Sequence, residues 1–383
     1  MNKPVSIVHV VHSLQVGGLE NGVVNVINRL DHTKFTHTVC CLARSGQMGR
    51  RIAQDRAKVL EVGCSGRGFG VSLLTLVRLL RELKPDVVHT RGWSAVDAVF
   101  AARLAGVRAL IHGEHGREWD DAQGINWKRN QIRKVVGMMV NRYVVVCDFF
   151  SEWLRKTCKV PQRKIVHIPN GVDTAKFRPL DPNPTEATAK SGLRHRLGLP
   201  AEGLLVGAVG RLDPVKDFPT LLRGFSQLTS QFPQTQLVIV GNGPVRDDLM
   251  KMARTLSIAP CLSFVGEQDD VASFLRCFDI FVQCSIFEGM SNTILEAMAT
   301  GLPIVASDTG GNAELVVAGT NGILFPVGNV EALTEALKKY VSDPVLREHH
   351  ADQSRQRALK HFDLNLMASR YANLYETALA VKH

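Results

Sequence analysis

Glu288 and Glu296 stand eight residues apart in FEGMSNTILEAMATGLPIVASDTGG, residues 287–311. Paired carboxylates break glycosidic bonds when they lie about 5–9.5 Å apart. The spacing argues against that use. Ser291 or Asn292 is a good N-cap, TILEAMATG keeps helical periodicity, and Gly301 and Pro303 close the helix before a strand. Were 288–296 all helix, the two Cα atoms would be roughly 12 Å apart. The pair is better suited to anchoring, each carboxylate accepting hydrogen bonds from hydroxyls of one elongated ligand. The helix start between them, with Ser291 and Asn292, can take a phosphate. A molecule with hydroxyls at both ends and phosphate in its middle is a nucleotide sugar.

Cations suited to the same phosphates follow the strand LLVGAVG (204–210), where Arg211 and Lys216 flank a strand-to-helix connection. Arginine offers a fork and lysine a point charge, a combination that fits a pyrophosphate. No GxxxxGK[ST] is present, so this is not a P-loop. Near the chain start, Gly17-Gly18 precede Leu19-Glu20 at the mouth of an amphipathic helix. There the backbone can approach a ligand closely and free N–H groups face an anion. IHGEHGREWDD (111–121) places His112, Glu114, His115 and Glu118 together after a strand. This HxEHxxE does not match a HExxH metal helix, so a histidine that hydrogen-bonds a ligand hydroxyl is the better reading. No metal is expected. VGNGPVRDDL (240–249) has Arg246 where a GxGxxG loop has its last glycine, and reads as a tight turn.

A chain of 383 residues exceeds what one core organises, so two domains are expected. In the first half, strand candidates 5–11, 37–42, 86–89, 109–113, 143–147 and 164–169 alternate with helical segments such as 70–84. After RPLDPNPTEATAKSG (178–192), which reads as a linker, the alternation resumes. Its strands are 204–210, 236–241, 261–266, 280–284 and 303–307, with helices near 217–231, 244–256, 291–300 and 330–340. This predicts an α/β chain of two doubly wound parallel sheets with a cleft between them, ligands sitting beyond the carboxyl ends of the strands. The expected domains are 1–180 and 181–362, with a helix in 363–383 crossing back to the first.

The first 180 residues hold 28 basic and 14 acidic side chains, a net +14, whereas the remainder carries −4. A basic first half points to an anionic partner such as phospholipid, nucleic acid or a phosphate-bearing acceptor. NWKRNQIRKVVGMMVNRY (126–143) reads as a basic helix able to rest on a membrane, or as a solvated helix with a buried apolar face. The amino terminus lacks a signal-peptide pattern, and no apolar stretch reaches the ~18–20 residues of a membrane span, so a cytoplasmic location is expected. Eight cysteines, with no CxxC or Cys/His cluster, predict reduced buried thiols without zinc or disulfides.

Taken together, these residues resemble the retaining glycosyltransferases of family 4, the group 1 transferases of GT-B fold. The resemblance rests on Glu288-x7-Glu296, on Gly301, Pro303, Ala306 and Gly310-Gly311, on GGxE at 17–20 and on His115. It extends to NGVD at 170–173 and to Gly210-Arg211 with Lys216, covering nearly the whole chain in order. Within the family it is most similar to transferases of bacterial exopolysaccharide loci.

The resemblance implies transfer of a hexosyl group from a UDP- or GDP-sugar to a hydroxyl of a glycan or polyprenyl-linked acceptor, with retained anomeric configuration. It implies that Arg211 and Lys216 hold the donor diphosphate, Glu296 the ribose and Glu288 the transferred sugar. Gly210 and the segment Gly289, Met290, Ser291 and Asn292 would line the donor. His115, preferred to His112, would reach the sugar from the other domain, and Gly17-Gly18 would pass close to donor phosphates and acceptor. No cofactor and no catalytic metal are implied; nucleic acid is not an expected partner, and an anionic membrane surface is. Two alternatives are a nucleotide-sugar 2-epimerase and a non-catalytic sugar-nucleotide-binding protein.

Overall fold

The computed structural model describes residues 3–64, 69–117, 121, 123–180 and 186–380. Glu118 and residues 181–185 of the expected linker lie outside them. The chain divides into two compact units, Met1–Gly171 with Leu364–His383, and Val172–Asp363.

The first unit runs β1 (Val5–Val11), α1 (Gly18–Arg29), β2 (Phe35–Cys41), β3 (Ala57–Glu61), α2 (Phe69–Leu83), β4 (Val87–Arg91) and α3 (Val96–Leu104). It continues with β5 (Ala109–Glu114), α4 (Trp127–Met139), β6 (Arg142–Val145), α5 (Asp148–Lys156) and β7 (Ile165–His167). Its seven strands lie in the order β3-β2-β1-β4-β5-β6-β7, all pairs parallel. Helices on both faces explain why β1 and β5 are near-continuous apolar runs rather than alternating ones.

The second unit runs α6 (Glu186–Arg196), β8 (Leu205–Val209), α7 (Phe218–Thr229), β9 (Gln236–Val240), α8 (Arg246–Thr255), β10 (Leu262–Gly266) and α9 (Val271–Cys277). Then come β11 (Ile280–Gln283), α10 (Asn292–Ala299), β12 (Ile304–Ser307), α11 (Asn312–Leu315), β13 (Gly322–Phe325), α12 (Val330–Ser342) and α13 (Pro344–His361). The strand order is β10-β9-β8-β11-β12-β13, again parallel. Its core joins Val206, Leu237, Ile239 and Val282 of the sheet to Leu221, Phe225, Leu333 and Tyr340.

The last helix, α14 (Leu364–Ala380), belongs to the first unit. Met367, Tyr371, Leu374, Tyr375 and Ala378 recur at helical spacing and pack with Ile7, Val87 and Ile111 of the first sheet. The architecture is thus that of the GT-B class, two parallel-sheet units with a carboxyl-terminal helix returning to the first.

Several features differ from the expectations, among them the short edge strand β13, which the expected strands do not include. Strand β3 was not foreseen because an edge strand with none of its residues fully buried, AKVLE, lacks an apolar run. Helix α13 buries only His350, Ser354 and Ala358, so its sequence shows no apolar stripe. Helix α6, 186–196, begins inside the segment read as linker and runs past its end, and α4 stops at Met139, before β6.

Candidate active site

In a doubly wound sheet, ligands enter where the strand order reverses, at the carboxyl ends of the two strands flanking that point. In the second unit these strands are β8 and β11. Lys216 follows β8 in a short 3₁₀ turn, and Glu288 lies in the loop after β11. Lys216 Nζ and Glu288 Oε1 are 2.5 Å apart, and Ser285 Oγ donates to the same oxygen at 2.6 Å. Their side chains are 23% and 12% exposed, so the pair is shielded yet open to a ligand. A small cleft beside Lys216 is lined also by Ala208, Phe218, Val282, Gln283 and Cys284.

Arg211 is placed differently. Its guanidinium is largely exposed and pairs at 2.6 Å with Asp213, a buried carboxylate whose second oxygen has no partner. The lysine stem runs past Gly210, with an added Cβ there 3.8 Å from Lys216 Cε. Gly289 accepts from Gly311 N–H at 2.8 Å, and Thr309 Oγ1 donates to the Ile286 carbonyl at 3.0 Å. At Gly310, φ is +53° and a Cβ would fall 1.8 Å from the Glu288 carbonyl oxygen. The SDTGG loop therefore clamps the backbone that carries Glu288.

Helix α10 begins as its sequence requires. Ser291 Oγ accepts from Ile294 N–H at 3.3 Å, and Gln283 Nε2 donates to Ser291 Oγ at 2.9 Å and Thr293 Oγ1 at 3.3 Å. Met290 is buried, whereas Asn292 and Glu296 are half-exposed on the helix. Glu288 and Glu296 thus sit on either side of a capped helix start, with a cation held against the first.

In the first unit the strand order reverses between β1 and β4. Gly17 and Gly18 follow β1, and Glu20 folds back over Gly17 so closely that a Cβ there would lie 2.2 Å from its Oε2. Burial raises the Glu20 carboxyl above its ordinary range. His112 is a core residue, bonded through Nδ1 to Thr90 Oγ1 at 2.7 Å and edge-on to Tyr143. His115 lies instead at the rim, with Nε2 buried near Gly113. Burial pushes both imidazoles down to about 3. Glu114 is committed to Arg133 at 3.1 and 3.3 Å and to Tyr143 at 3.1 Å, which explains its presence in IHGEHG without a metal role.

Sequence reasoning did not single out Gln283, Ser285 or Asp213, nor a buried group of His9, His37, His89 and Arg91. Their signal is weak: polar residues inside or just beyond strands, whose convergence depends on strand order. Helix α4 turns Arg133 inward but exposes Trp127, Ile132, Val135 and Met138 among Lys128 and Lys134. Among the described residues, no helix is long and apolar enough to cross a membrane.

Comparison with known proteins identifies the family of the chain. Residues 190–357 match the family described as glycosyl transferases group 1, and residues 16–176 match glycosyltransferase family 4. The lipopolysaccharide core biosynthesis glycosyltransferase LpsE of Rhizobium meliloti is 32% identical, over 94% of this chain and 95% of that protein. The UDP-Gal:alpha-D-GlcNAc-diphosphoundecaprenol alpha-1,3-galactosyltransferase of Escherichia coli is 31% identical, over 72% of this chain and 71% of its own. Among solved structures, HepE of Anabaena in complex with UDP is similar in fold, with a TM-score of 0.83 at 19% identity, covering 98% of this chain and 100% of its own. The chain belongs to the group 1 glycosyl transferases of family 4 and is a glycosyltransferase.

Proposed function

We propose that this glycosyltransferase moves a hexosyl group from a UDP- or GDP-sugar to a hydroxyl of a glycan or lipid-linked acceptor, with retention, in exopolysaccharide or cell-surface glycan synthesis. The observation that carries the reading is the Lys216–Glu288 pair at the β8/β11 reversal, beside the capped start of α10. An ammonium and a helix N-terminus at one crevice suit a departing diphosphate. A carboxylate beside them suits the sugar hydroxyls, and Glu296 on the same helix suits the ribose. Arg211, released from Asp213, would add its fork to the phosphates, and Gly210 and Gly289–Asn292 would line the donor. His115, Gly17 and Gly18 would serve the sugar and acceptor on the first unit.

In this reading the bond from the anomeric carbon to the donor phosphate oxygen breaks as the acceptor oxygen attacks the same face. The acceptor proton passes to the departing phosphate, and the cations neutralise the charge that develops there. No metal is required for these steps. The names of the relatives support a nucleotide-sugar donor and a lipid-linked or lipopolysaccharide acceptor, and a lipid-linked acceptor would bring the enzyme to a membrane surface.

The test is a thermal-shift screen against UDP- and GDP-sugars, followed by transfer assays with the donor that stabilises most. Stabilisation that persists in Lys216→Ala would remove the diphosphate assignment. Incubation with donor alone separates transfer from epimerisation, since only an epimerase converts the free donor.

A further inference from the structure

The first unit has its own strand reversal, between β1 and β4, and a cation stands there too. Arg91, the last residue of β4, is 1% exposed and makes no ion pair with a carboxylate among the described residues. Its Nη1 donates to His9 Nδ1 at 2.8 Å, and His9 Nε2 meets His37 Nδ1 at 3.0 Å. A guanidinium only donates, so the proton of neutral His9 sits on Nε2 and is given to His37. Neither histidine brings a negative charge. The Tyr371 ring lies 5.8 Å from the guanidinium carbon and brings no formal charge either, and a buried charge without an opposite one is disfavoured.

Several unpartnered polar atoms gather beside it. Arg91 Nη2, His89 Nε2 and His115 Nε2 are buried and have no hydrogen-bond partner among the described residues. Gly113 stands opposite Arg91 in the β4–β5 register, and a Cβ on it would lie 2.7 Å from His115 Nε2 and 3.3 Å from His89 Nε2. The two imidazole Nε2 atoms thus converge over a glycine, and any side chain there would press on His115. Gly92, His115 and Gly116 form a half-exposed rim.

We infer that Arg91, His89 and His115 form an oxyanion subsite of the phosphate class at the β1/β4 reversal. With their protons on Nε2, the two imidazoles add donors to those of the cation, which suits a group that accepts hydrogen bonds and carries negative charge. The identification of that group with an acceptor's phosphate rests on the proposed transferase reading; the subsite itself does not. The same chemistry is offered by free phosphate and by a lipid phosphate headgroup.

The experiment measures melting of the full chain in millimolar inorganic phosphate, in farnesyl phosphate below its micelle threshold, and in chloride at matched ionic strength. Phosphate is expected to raise the melting point by about 2–4 °C over chloride. That rise should persist in Lys216→Ala, which isolates it from the donor crevice, and vanish in Arg91→Gln. A larger rise with farnesyl phosphate assigns the subsite to a lipid-linked acceptor, and equal rises assign it to phosphate itself. No rise in the unaltered chain, an equal rise in chloride, or a rise retained in Arg91→Gln overturns the inference. Should Arg91→Gln not fold, ¹⁵N-histidine spectra of the unaltered chain decide. Phosphate must shift the Nε2 resonances of His89 and His115, and unchanged resonances overturn the subsite. A UDP-sugar response that is absent while the phosphate response survives would count against the transferase reading alone.

Discussion

Lys216 and Glu288, 72 positions apart in the sequence, meet at 2.5 Å where the second sheet reverses its strand order. The contact joins two residues to which the family resemblance gave adjoining parts of one donor, the diphosphate and the sugar. A lysine expected at the diphosphate and a glutamate expected at the sugar are neighbours, and the proposed function puts the bond between phosphate and sugar beside them. A double-mutant cycle tests this. Lys216→Ala and Glu288→Ala are each expected to lower kcat/KM by about 10²–10³-fold. The double variant should lose far less than the product of the two, because the partners act as a unit. Strict additivity would show that the pair does not act on one transition state.

Glu288 and Glu296 should separate in ligand binding. Glu296→Ala is expected to abolish most of the melting-point rise with UDP or GDP alone. Glu288→Gln should leave that rise intact and remove the extra stabilisation contributed by the sugar. Isothermal titration with nucleotide and nucleotide sugar measures both, and an exchange of these phenotypes would reverse the assignment.

Gly310 holds φ at +53° with no room for a Cβ against the Glu288 carbonyl. Gly310→Ala is expected to destabilise the second unit by about 1–3 kcal/mol and to abolish transfer by shifting the glutamate loop. Calorimetry and a transfer assay on the same preparation report the two effects. Undiminished turnover would show that the SDTGG clamp is dispensable.

Acid should weaken the first unit selectively. His9 and His89 are held well below their ordinary range, His37 at about 4, and His112 and His115 at about 3, in each case first by burial. The folded state therefore refuses protons that the unfolded chain accepts below about pH 6.5. The stability these histidines contribute is fully present above that pH and is lost as pH falls toward 4 and below, by about 1.4 kcal/mol per histidine per pH unit. All four tryptophans lie between residues 93 and 153, so their fluorescence reads the first unit during urea unfolding. A midpoint constant from pH 7 to about pH 4.5 would contradict burial of neutral imidazoles.

The exposed face of α4 joins Trp127 at 67% and Met138 at 59% exposure with Lys128 and Lys134. Apolar groups interleaved with lysines suit an anionic lipid surface. In flotation, the chain should rise with phosphatidylglycerol vesicles at low salt and less with phosphatidylcholine vesicles. Trp127→Glu with Met138→Glu should abolish the difference without changing the melting point. Equal behaviour on both vesicle types would leave α4 an ordinary solvated helix.

Much of the architecture was legible because local patterns carry it. Apolar runs such as VSIVHVV and QLVIVG specify strands buried on both faces, and helical spacing in 365–381 specifies the returning helix. Where burial is partial, as in β3 and α13, the pattern fades and so does the reading. The capped start of α10 was visible in SNTILEAM, since a cap needs only residues adjacent in sequence. What the sequence could not show was anything set by strand order: which loops share a crevice, which partner Glu288 takes, and how Arg211 turns to Asp213. The same limit hid Arg91 and its histidines. They come from separate strands, each unremarkable alone, and only lateral pairing of β1, β2, β4 and β5 brings a buried cation and its imidazoles together.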